Sequence, residues 1–438
     1  MRQISILFSV VVTLTASLRA DAPIASYIFP AGGQRGTTVK IRVGGLNLHQ
    51  SCNFEMLGSG IHSSSRLKLG PTVWFEGPRI PMPASQRKED YPKDMIGEVK
   101  IDAQAKLGQR RWRTWTSQGA TASRAFVIGD LPEIVENEID GAPIPVAVTL
   151  PLTINGRIFP REDVDIWTVQ AKQGQSITCR VNAARLGSPL DSRLEIRDPD
   201  GRRLVENDDW NGPDSMVRFV APIAGKYQIR IHDIKFEGSQ SHVYRLTVTS
   251  GPFVERVFPL GGRRGSTVKL EATGQALPKL IMIPIPKDAP GQFSTRFKSS
   301  NHFPLDVDDL PEYLESSDNQ VSLPAMLNGR ISKPGEVDQW TFNAKKGEKW
   351  SMDLKALRLD SPLNARLFIL DSKDKIVAKG EVPGRDPQIQ FTARAEGKYR
   401  IRIEERFQSQ GSSAHAYRLR IGKPKPDYRL TLASAALG

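Results

Sequence analysis

Apolar and polar residues alternate along most of this chain, with the period of a half-buried β-strand and not of a helix. The alternation is clearest after Ile154, where each short run has its apolar residues on one face: Trp167 and Val169; Ile177, Cys179, Val181 and Ala183; Leu194 and Ile196; Tyr227, Ile229 and Ile231; Tyr244, Leu246 and Val248. Turn signals such as Asp200 and Gly201 separate the runs. The pattern predicts an all-β fold, a multi-domain chain of antiparallel β-sandwiches.

The same pattern returns later in the chain as a second copy of one unit. INGRIFPREDVDIWTVQAKQG begins at Ile154, and LNGRISKPGEVDQWTFNAKKG begins at Leu327. Both copies have an aspartate two residues before a tryptophan, and both close on a histidine, a tyrosine and a leucine at the same spacing. Because an internal repeat fixes the size of the structural unit, the sequence predicts two sandwiches of the same fold.

The order of short motifs in this unit resembles a known bacterial family. NGxI is followed by VDxWxVxAxxGQ, by RLGSPLDSRLEIRDPDG, and by the closing segments AGKYQIRI and YRLTV. This order is similar to that of the pre-peptidase C-terminal domain. The resemblance implies a jelly-roll-like β-sandwich at residues 131–251 and again at 311–422, of a kind found beside the catalytic domains of secreted peptidases and in tandem in secreted or surface proteins. A fold does not by itself determine a function.

A second pair of similar segments precedes the two units. SYIFPAGGQRGTTVKIRVGGLNL recurs from Glu255 as ERVFPLGGRRGSTVKLEATGQAL. Both resemble the start of immunoglobulin-like domains of the transcription-factor immunoglobulin (TIG) type, which implies such a module at 23–129 and a shortened one at 253–308. The glycines at Gly32, Gly33 and Gly36 suit tight turns that need positive φ. A phosphate-binding loop is disfavoured, because a strand pattern and not a helix follows them.

Three further segments have a predicted role in the organisation of the chain. DLPEIVE at Asp130 and DLPEYLE at Asp309 precede the two repeat units and are interpreted as linkers. Residues 1–20 carry an early arginine, a short apolar run and small residues, which predict a secretory signal peptide and an exported protein without a transmembrane segment. Residues 423–438 are predicted to be a Lys/Pro linker and the first strand of a truncated further module.

The charge of the chain is moderately basic, with 61 Lys and Arg against 48 Asp and Glu and a formal net charge of +13. Basic clusters are scattered: Arg110, Arg111 and Arg113; Arg263 and Arg264; Arg400, Arg402 and Arg406. They could attract an acidic polysaccharide or an anionic envelope surface, or they could be solvated strand faces opposite the core. Nucleic acid is not a predicted partner, because the protein is expected to be exported and carries no binding motif.

The two cysteines are predicted to be unpaired. Export would permit a disulfide. However, Cys52 and Cys179 fall in different modules, and Cys179 has the position that Met352 has in the second unit. We therefore expect Cys179 to be a buried, small apolar residue.

The polar loop ENDDWNGPDS carries the candidate metal ligands Asn207, Asp208, Asp209 and Asp214. Calcium takes six to eight oxygen ligands, and this loop could supply several of them. Calcium is therefore the one possible cofactor. The alternative is a plain hairpin rich in Asn and Asp, since the second unit has GEV where the first has NDD. Trp210, in the same loop, is the candidate ligand-binding aromatic residue.

No catalytic residue is predicted. Asp165 and Asp338 precede the core tryptophans, and a catalytic carboxylate would need a partner, for which the sequence offers Glu162 or Asp163 in the first copy and Glu336 in the second. A structural role, in which these aspartates accept backbone N–H groups, is favoured. The chain lacks the HExxH, GxSxG, Walker and CxxC motifs.

These features favour a non-catalytic exported protein that acts in adhesion or binds an extracellular polysaccharide or protein at the cell envelope. Its location would be periplasmic, extracellular or on the cell surface. Two alternatives stay open. The chain could be the accessory region of a secreted peptidase whose catalytic domain is absent from it, or it could be a structural spacer.

Overall fold

The computed structural model describes four stretches of the chain: residues 22–70, 94–137, 145–210 and 212–424. Within them the protein is all-β, with 35 strands and two short 3₁₀ helices, and the predicted fold class is confirmed. No helix in these stretches has the length and apolar character needed to cross a membrane. The predicted signal peptide lies outside the described residues, and so does the predicted strand near the end of the chain.

The strands pack around four separate hydrophobic cores. We call the four bodies module A, sandwich B, module C and sandwich D in chain order. Their cores lie at the places where the sequence predicted sandwiches, and the exact domain limits stay a prediction.

Module A contains one ten-stranded sheet in the order β1-β3-β7-β6-β4-β8-β10-β2, in which β5 also pairs with β7 and β9 with β8. Its core surrounds Trp112, whose indole N–H donates to the carbonyl of Ala125. The strands are β1 (Ile24–Phe29), β2 (Gly32–Gln34), β3 (Thr38–Leu46), β4 (Ser51–Leu57), β5 (Ile61–Ser63), β6 (Arg66–Leu69), β7 (Met95–Ile101), β8 (Gly108–Thr116), β9 (Gly119–Ala120) and β10 (Arg124–Gly129).

Sandwich B consists of two five-stranded sheets, β11-β13-β20-β15-β18 and β12-β14-β19-β16-β17. The alternating apolar residues predicted to share one face all lie in the core between these sheets. The strands are β11 (Glu133–Val135), β12 (Val146–Val148), β13 (Leu152–Arg157), β14 (Asp165–Ala171), β15 (Ser176–Asn182), β16 (Ser192–Arg197), β17 (Arg203–Asn207), β18 (Met216–Val220), β19 (Gly225–Asp233) and β20 (Val243–Thr249), with a 3₁₀ helix (Ala184–Leu186) after β15.

Module C is smaller, with two three-stranded sheets, β21-β23-β24 and β22-β26-β25. Its core is correspondingly small and includes Leu270, Ile281 and Leu305. The strands are β21 (Phe253–Phe258), β22 (Gly261–Arg263), β23 (Thr267–Gln275), β24 (Leu280–Pro284), β25 (Gln292–Thr295) and β26 (Phe303–Asp308).

Sandwich D has sheets β27-β28-β35-β30-β33 and β29-β34-β31-β32, the strand order of sandwich B without a counterpart of β12 among its described strands. Trp340, Met352 and Tyr417 are among its fully buried residues. The strands are β27 (Glu312–Leu314), β28 (Ala325–Arg330), β29 (Val337–Ala344), β30 (Lys349–Lys355), β31 (Ala365–Leu370), β32 (Ile376–Gly380), β33 (Gln388–Thr392), β34 (Gly397–Glu405) and β35 (Ala416–Gly422), with a 3₁₀ helix (Leu357–Leu359) after β30.

The interpretation of the two DLPE segments as linkers is wrong. Strand β11 pairs in parallel with β13, and β27 pairs in parallel with β28. Each segment is therefore the edge strand of the sandwich that follows it, and only 130–132 lie between β10 and β11. A parallel edge pairing is set by tertiary contacts far along the chain, so Pro and acidic residues alone did not reveal it.

Both cysteines are buried and unpaired, as predicted. Cys179 packs in the core of sandwich B, and burial raises the pKa of its thiol. Because the thiolate is the reactive form of cysteine, this residue is an inert part of the core.

Candidate functional site

The acidic loop predicted to bind calcium lies between β17 and β18. Asp214 turns inward, and its Oδ1 accepts hydrogen bonds from the backbone N–H groups of Ala183 and Ala184, each at 2.8 Å. Asp386 does the same in sandwich D, where its carboxylate accepts from Leu357 and Arg358 at 2.8 and 3.0 Å. The repeated contact identifies Asp214 as a cap of the 3₁₀ helix, because the first N–H groups of a helix lack partners within the helix.

The remaining residues of the loop point in different directions. The Oδ1 atom of Asn207 accepts from the N–H of Met216 at 2.9 Å. Asp208 and Asp209 lie close enough to the half-buried Asp191 to raise the pKa of its carboxyl, although burial is the largest cause of that shift. Asp214 thus contacts the 3₁₀ helix, whereas Asp208 and Asp209 lie near Asp191.

The geometry does not assemble the four predicted ligands into one oxygen shell. Among the described residues, no group of three or more His, Cys, Asp and Glu side chains is arranged to hold a metal ion. Calcium binding by this loop stays a prediction, and its donors would have to come mainly from Asp208 and Asp209.

We expect Asp214→Ala to destabilise sandwich B by about 1–2 kcal/mol, because two backbone N–H groups lose their acceptor. The loss should be the same with calcium and with chelator. Asp208→Ala is the matched variant, and it should leave the metal-free stability unchanged. Thermal unfolding of both variants in calcium and in chelator measures this. A loss for Asp214→Ala that appears only in calcium would contradict the capping role.

Trp210 does not lie on an open surface. The guanidinium carbon of Arg256, on β21 of module C, lies 4.2 Å from the centre of the Trp210 ring. The indole is therefore at the boundary between sandwich B and module C, where it also lines a cleft. A cation over an indole face is attracted by the ring quadrupole.

A second polar cluster is buried in sandwich B around Asp165. Tyr244 donates to Oδ2 of Asp165 at 2.6 Å, and the indole N–H of Trp167 donates to the Tyr244 hydroxyl at 3.0 Å. The Asp165 carboxyl also hydrogen-bonds with the carboxyl of Glu136. Burial raises the pKa of Asp165 well above its usual range, and the charges of Glu136 and Asp163 raise it further. The raised pKa favours the protonated form of Asp165, which can donate its proton to Glu136.

Sandwich D contains the same cluster. Trp340 donates to the Tyr417 hydroxyl at 2.8 Å, and Tyr417 hydrogen-bonds with Asp338. Burial raises the pKa of Asp338 to about 8, although the bond from Tyr417 lowers it, and the charge of Glu315 adds to the rise. No N–H or O–H group of the described residues donates to the buried Oδ2 of Asp338. The raised pKa favours the protonated form of Asp338, whose proton would lie on this unpartnered atom.

Sequence reasoning missed Glu136 and Glu315 as the partners of the two aspartates. The expected partners have other roles, since Asp163 accepts from the N–H of Phe159 at 3.0 Å and Glu336 from Ser332. The signal was present in the repeated spelling DLPExxE, whose last glutamate has the same position in both copies. The Pro and acidic residues of this segment are also typical of a linker, so the sequence alone does not assign this glutamate a role.

A buried arginine joins the edge strand of each sandwich to its neighbours. In sandwich B, Arg245 donates to Glu133 at 2.7 and 2.9 Å and to Oδ1 of Asn155 at 2.7 Å. A Cβ atom on Gly32 of module A would lie 2.2 Å from the Arg245 guanidinium. The glycine of the first GG pair therefore lets the arginine pack against the backbone of module A.

In sandwich D the equivalent residue is Arg418, which is fully buried. It donates to Glu312 at 2.7 and 2.8 Å and to Asn328 at 2.8 Å. It also donates to Asp306 of module C at 3.0 Å, an ion pair between the two bodies. We call the set of arginine, glutamate and asparagine in each sandwich the arginine clamp.

Comparison with known proteins gives limited matches. No protein-family model matches the chain. A probable subtilase-type serine protease of Deinococcus radiodurans is 40% identical over 70 residues, which is 16% of this chain and 10% of that protein. The match thus spans a small part of the protease's length.

Among solved structures, the pre-peptidase C-terminal domain of a collagenase from Bacillus anthracis is 18% identical, covers 26% of this chain and 99% of its own, and has a TM-score of 0.20. A protein of the Bacteroides ovatus mixed-linkage glucan utilization locus, solved with a mixed-linkage heptasaccharide, is 8% identical over 86% of this chain and 72% of its own, with a TM-score of 0.15. Likenesses at these TM-scores carry no argument about function.

Proposed function

We propose that this chain is a non-catalytic, exported binding protein that presents a fixed array of β-sandwiches to an extracellular polysaccharide or protein at the cell envelope. The observation that carries this proposal is the arginine clamp. It fastens the edge strand of sandwich D to module C through Arg418, Glu312 and Asp306. A sandwich held in this way keeps its loops at a fixed place relative to its neighbour, which reduces the ordering cost of binding.

The buried carboxyl pairs support a structural role for the groups that could otherwise act as acid and base. Asp165 and Asp338 are 7% and 3% exposed and lie under the tyrosine and tryptophan of their cores. A catalytic carboxyl must come within hydrogen-bond distance of a substrate. Each pair instead ties its edge strand to the core.

Binding of the purified full chain to three immobilised polymers tests the proposal: polygalacturonate, a neutral β-glucan and denatured collagen. We expect retention on at least one polymer without new reducing ends or new amino termini in solution. Release of cleaved polymer by the chain itself would overturn the non-catalytic assignment. Absence of retention on all three would favour the structural spacer instead.

One observation favours the second candidate, an accessory region of a secreted peptidase. The 70-residue match at 40% identity is to a probable serine protease. Under this alternative the chain would be retained on collagen and not on the polysaccharides. It would also raise the rate at which a peptidase joined to it cleaves collagen, but not the rate at which that peptidase cleaves a short soluble peptide.

A further inference from the structure

The junction of module A with sandwich B and that of module C with sandwich D are built from corresponding residues. In each, the first strand of the module faces the 3₁₀ helix and the last strand of the sandwich. The sequence aligns the two openings at SYIFPAGG and ERVFPLGG and the two 3₁₀ segments at RLGSPL and RLDSPL. Several positions differ in size or charge: Tyr27 against Arg256, Gln240 against Ser413, Val243 against Ala416, Ser26 against Glu255, Ala31 against Leu260, and Gly187 against Asp360.

The first junction is filled by its own side chains. Tyr27 is buried, and its hydroxyl lies within hydrogen-bond distance of Asp94 and, at 3.0 Å, of Gln240. Arg124 crosses the junction and donates to the carbonyl of Gly187. The space that remains is about 220 Å³ including its mouth.

The second junction is open. Arg256 does not fill the space that Tyr27 fills, because its guanidinium lies over Trp210 of sandwich B. Ser413 and Ala416 are shorter than their counterparts. The result, which we call the junction cleft, holds about 740 Å³ including its mouth. This space is more than three times that of the first junction.

The junction cleft is lined by charges of both signs, two arginines and two carboxylates. Arg180 and Arg256 line it. Burial lowers the pKa of Arg180, and the charge of Arg185 lowers it further, while Asp360 and Asp214 oppose the shift. The two lining carboxylates also face arginines outside the cleft: Glu255 lies 3.0 Å from Arg218, and Asp360 lies 3.3 Å from Arg185. Because both lining carboxylates pair with arginines outside the cleft, an anionic ligand would find Arg180 and Arg256 as its partners.

Neutral polar groups and an apolar wall accompany the arginines. The Nε2 atom of His302 is buried and has no hydrogen-bond partner among the described residues. Burial lowers the pKa of this imidazole, so the neutral form can donate or accept a hydrogen bond. The hydroxyl of Ser413 and the apolar faces of Val254 and Phe303 complete the lining. A sugar ring presents both hydroxyl groups and apolar C–H faces, which match such a mixed surface.

We propose that the junction cleft binds a carboxylated saccharide unit of an acidic extracellular polymer. Arg180 and Arg256 would hold the carboxylate, and His302 and Ser413 would contact ring hydroxyls. The first junction is closed and would not bind. This inference rests on the proposed binding function and assigns it a site and a ligand class.

Calorimetric titration of the full chain with a galacturonic acid trimer tests the proposal, with a galactose trimer and a short peptide with a C-terminal carboxylate as comparison ligands. We expect binding of the acidic trimer alone, and a loss of about tenfold or more in affinity for Arg180→Gln, because a charge-assisted bond to the carboxylate is removed. Arg263→Gln, at an exposed position of module C, is the matched control and should bind like the parent chain.

A second set of variants uses the residues of the first junction. Ser413→Gln and Ala416→Val should close the junction cleft and abolish binding of the trimer while the thermal unfolding midpoint is kept. If these variants and Arg180→Gln bind the acidic trimer with the affinity of the parent chain, the proposed cleft is overturned. A preference for the peptide or the neutral trimer would overturn it as well. If the chain is still retained on polygalacturonate in those cases, the proposed function stands and only the site is wrong. No retention on any polymer would remove both.

Discussion

Replacement of Arg418 by methionine should destabilise sandwich D and its junction with module C by about 3–5 kcal/mol. The guanidinium is fully buried and bonds with Glu312, Asn328 and Asp306. Loss of one partner from a buried ion pair leaves the other charge uncompensated, and that penalty is larger than the net contribution of the pair. Asp306 keeps its contact with Lys355 at 2.6 Å, which limits the loss at that end.

Arg420 provides the matched control for this measurement. It lies on the same strand, pairs with Asp308 at 2.9 Å, and has 22% of its side chain exposed. Arg420→Met should therefore cost about 1 kcal/mol or less. Denaturant unfolding of both variants, followed by amide hydrogen exchange in β35, separates the two cases. Equal losses for Arg418→Met and Arg420→Met would contradict the clamp.

A double-mutant cycle tests whether the clamp couples the two bodies. If Arg418 and Asp306 interact across the junction, the combined loss in Arg418→Met with Asp306→Asn should fall short of the summed single losses. Arg245 in sandwich B should show no such coupling to an acidic residue of module A, because its contact there is with the backbone at Gly32. Additive losses at Arg418 and Asp306 would mean that module C is docked by other contacts.

The core of each sandwich was predictable from the sequence, whereas the polar contacts were not. Trp167, Tyr227 and Leu246 lie on the predicted faces, because the period of a strand depends only on neighbours along the chain. The bond between Asn155 and Glu133 depends on a parallel pairing of β11 with β13, and the alternation of residues carries no information about that register.

In the candidate site, too, local features were predictable from the sequence and long-range contacts were not. The loop of Asp208 and Asp209 is a polar turn, as its composition indicated. Asp214 was grouped with them by proximity in sequence, but its carboxylate caps a helix that follows β15. Arg256 reached Trp210 only because module C folds against sandwich B. Contacts between the bodies join residues that are far apart in the sequence, and local sequence patterns do not predict them.

Sandwich D should lose stability as the pH rises from about 4 to about 8, and Asp338→Asn should remove this dependence. The folded state holds a proton on Asp338, whose pKa is raised to about 8, whereas the unfolded chain releases it near the ordinary aspartate pKa of 3.8. Between these values the folded state binds more protons than the unfolded state. Stability therefore falls with rising pH, with a slope of up to about 1.4 kcal/mol per pH unit for one group.

The asparagine variant keeps the shape of the cluster without its titration. Its amide oxygen can accept from Tyr417, and its N–H₂ group can donate to Glu315, which are the bonds that the protonated aspartate makes. We expect the variant to be more stable than the parent at pH 8 and similar to it at pH 4. Hydrogen exchange of amides in β29 and β35 measures the stability of sandwich D separately from that of sandwich B, which contains the equivalent carboxyl pair.

Asp374→Asn is the control for the pH series, since Asp374 is an exposed aspartate of the same sandwich that pairs with Arg400. Its left-handed backbone, with φ at 63°, tolerates asparagine. This variant should keep the slope of the parent chain. Stability that rises between pH 5 and pH 8 in the parent, or an unchanged slope in Asp338→Asn, would mean that Asp338 is ionised in the folded protein. The orphaned Oδ2 atom would then need a different donor, and the edge strand would be held by its pairing with β28 and by the arginine clamp.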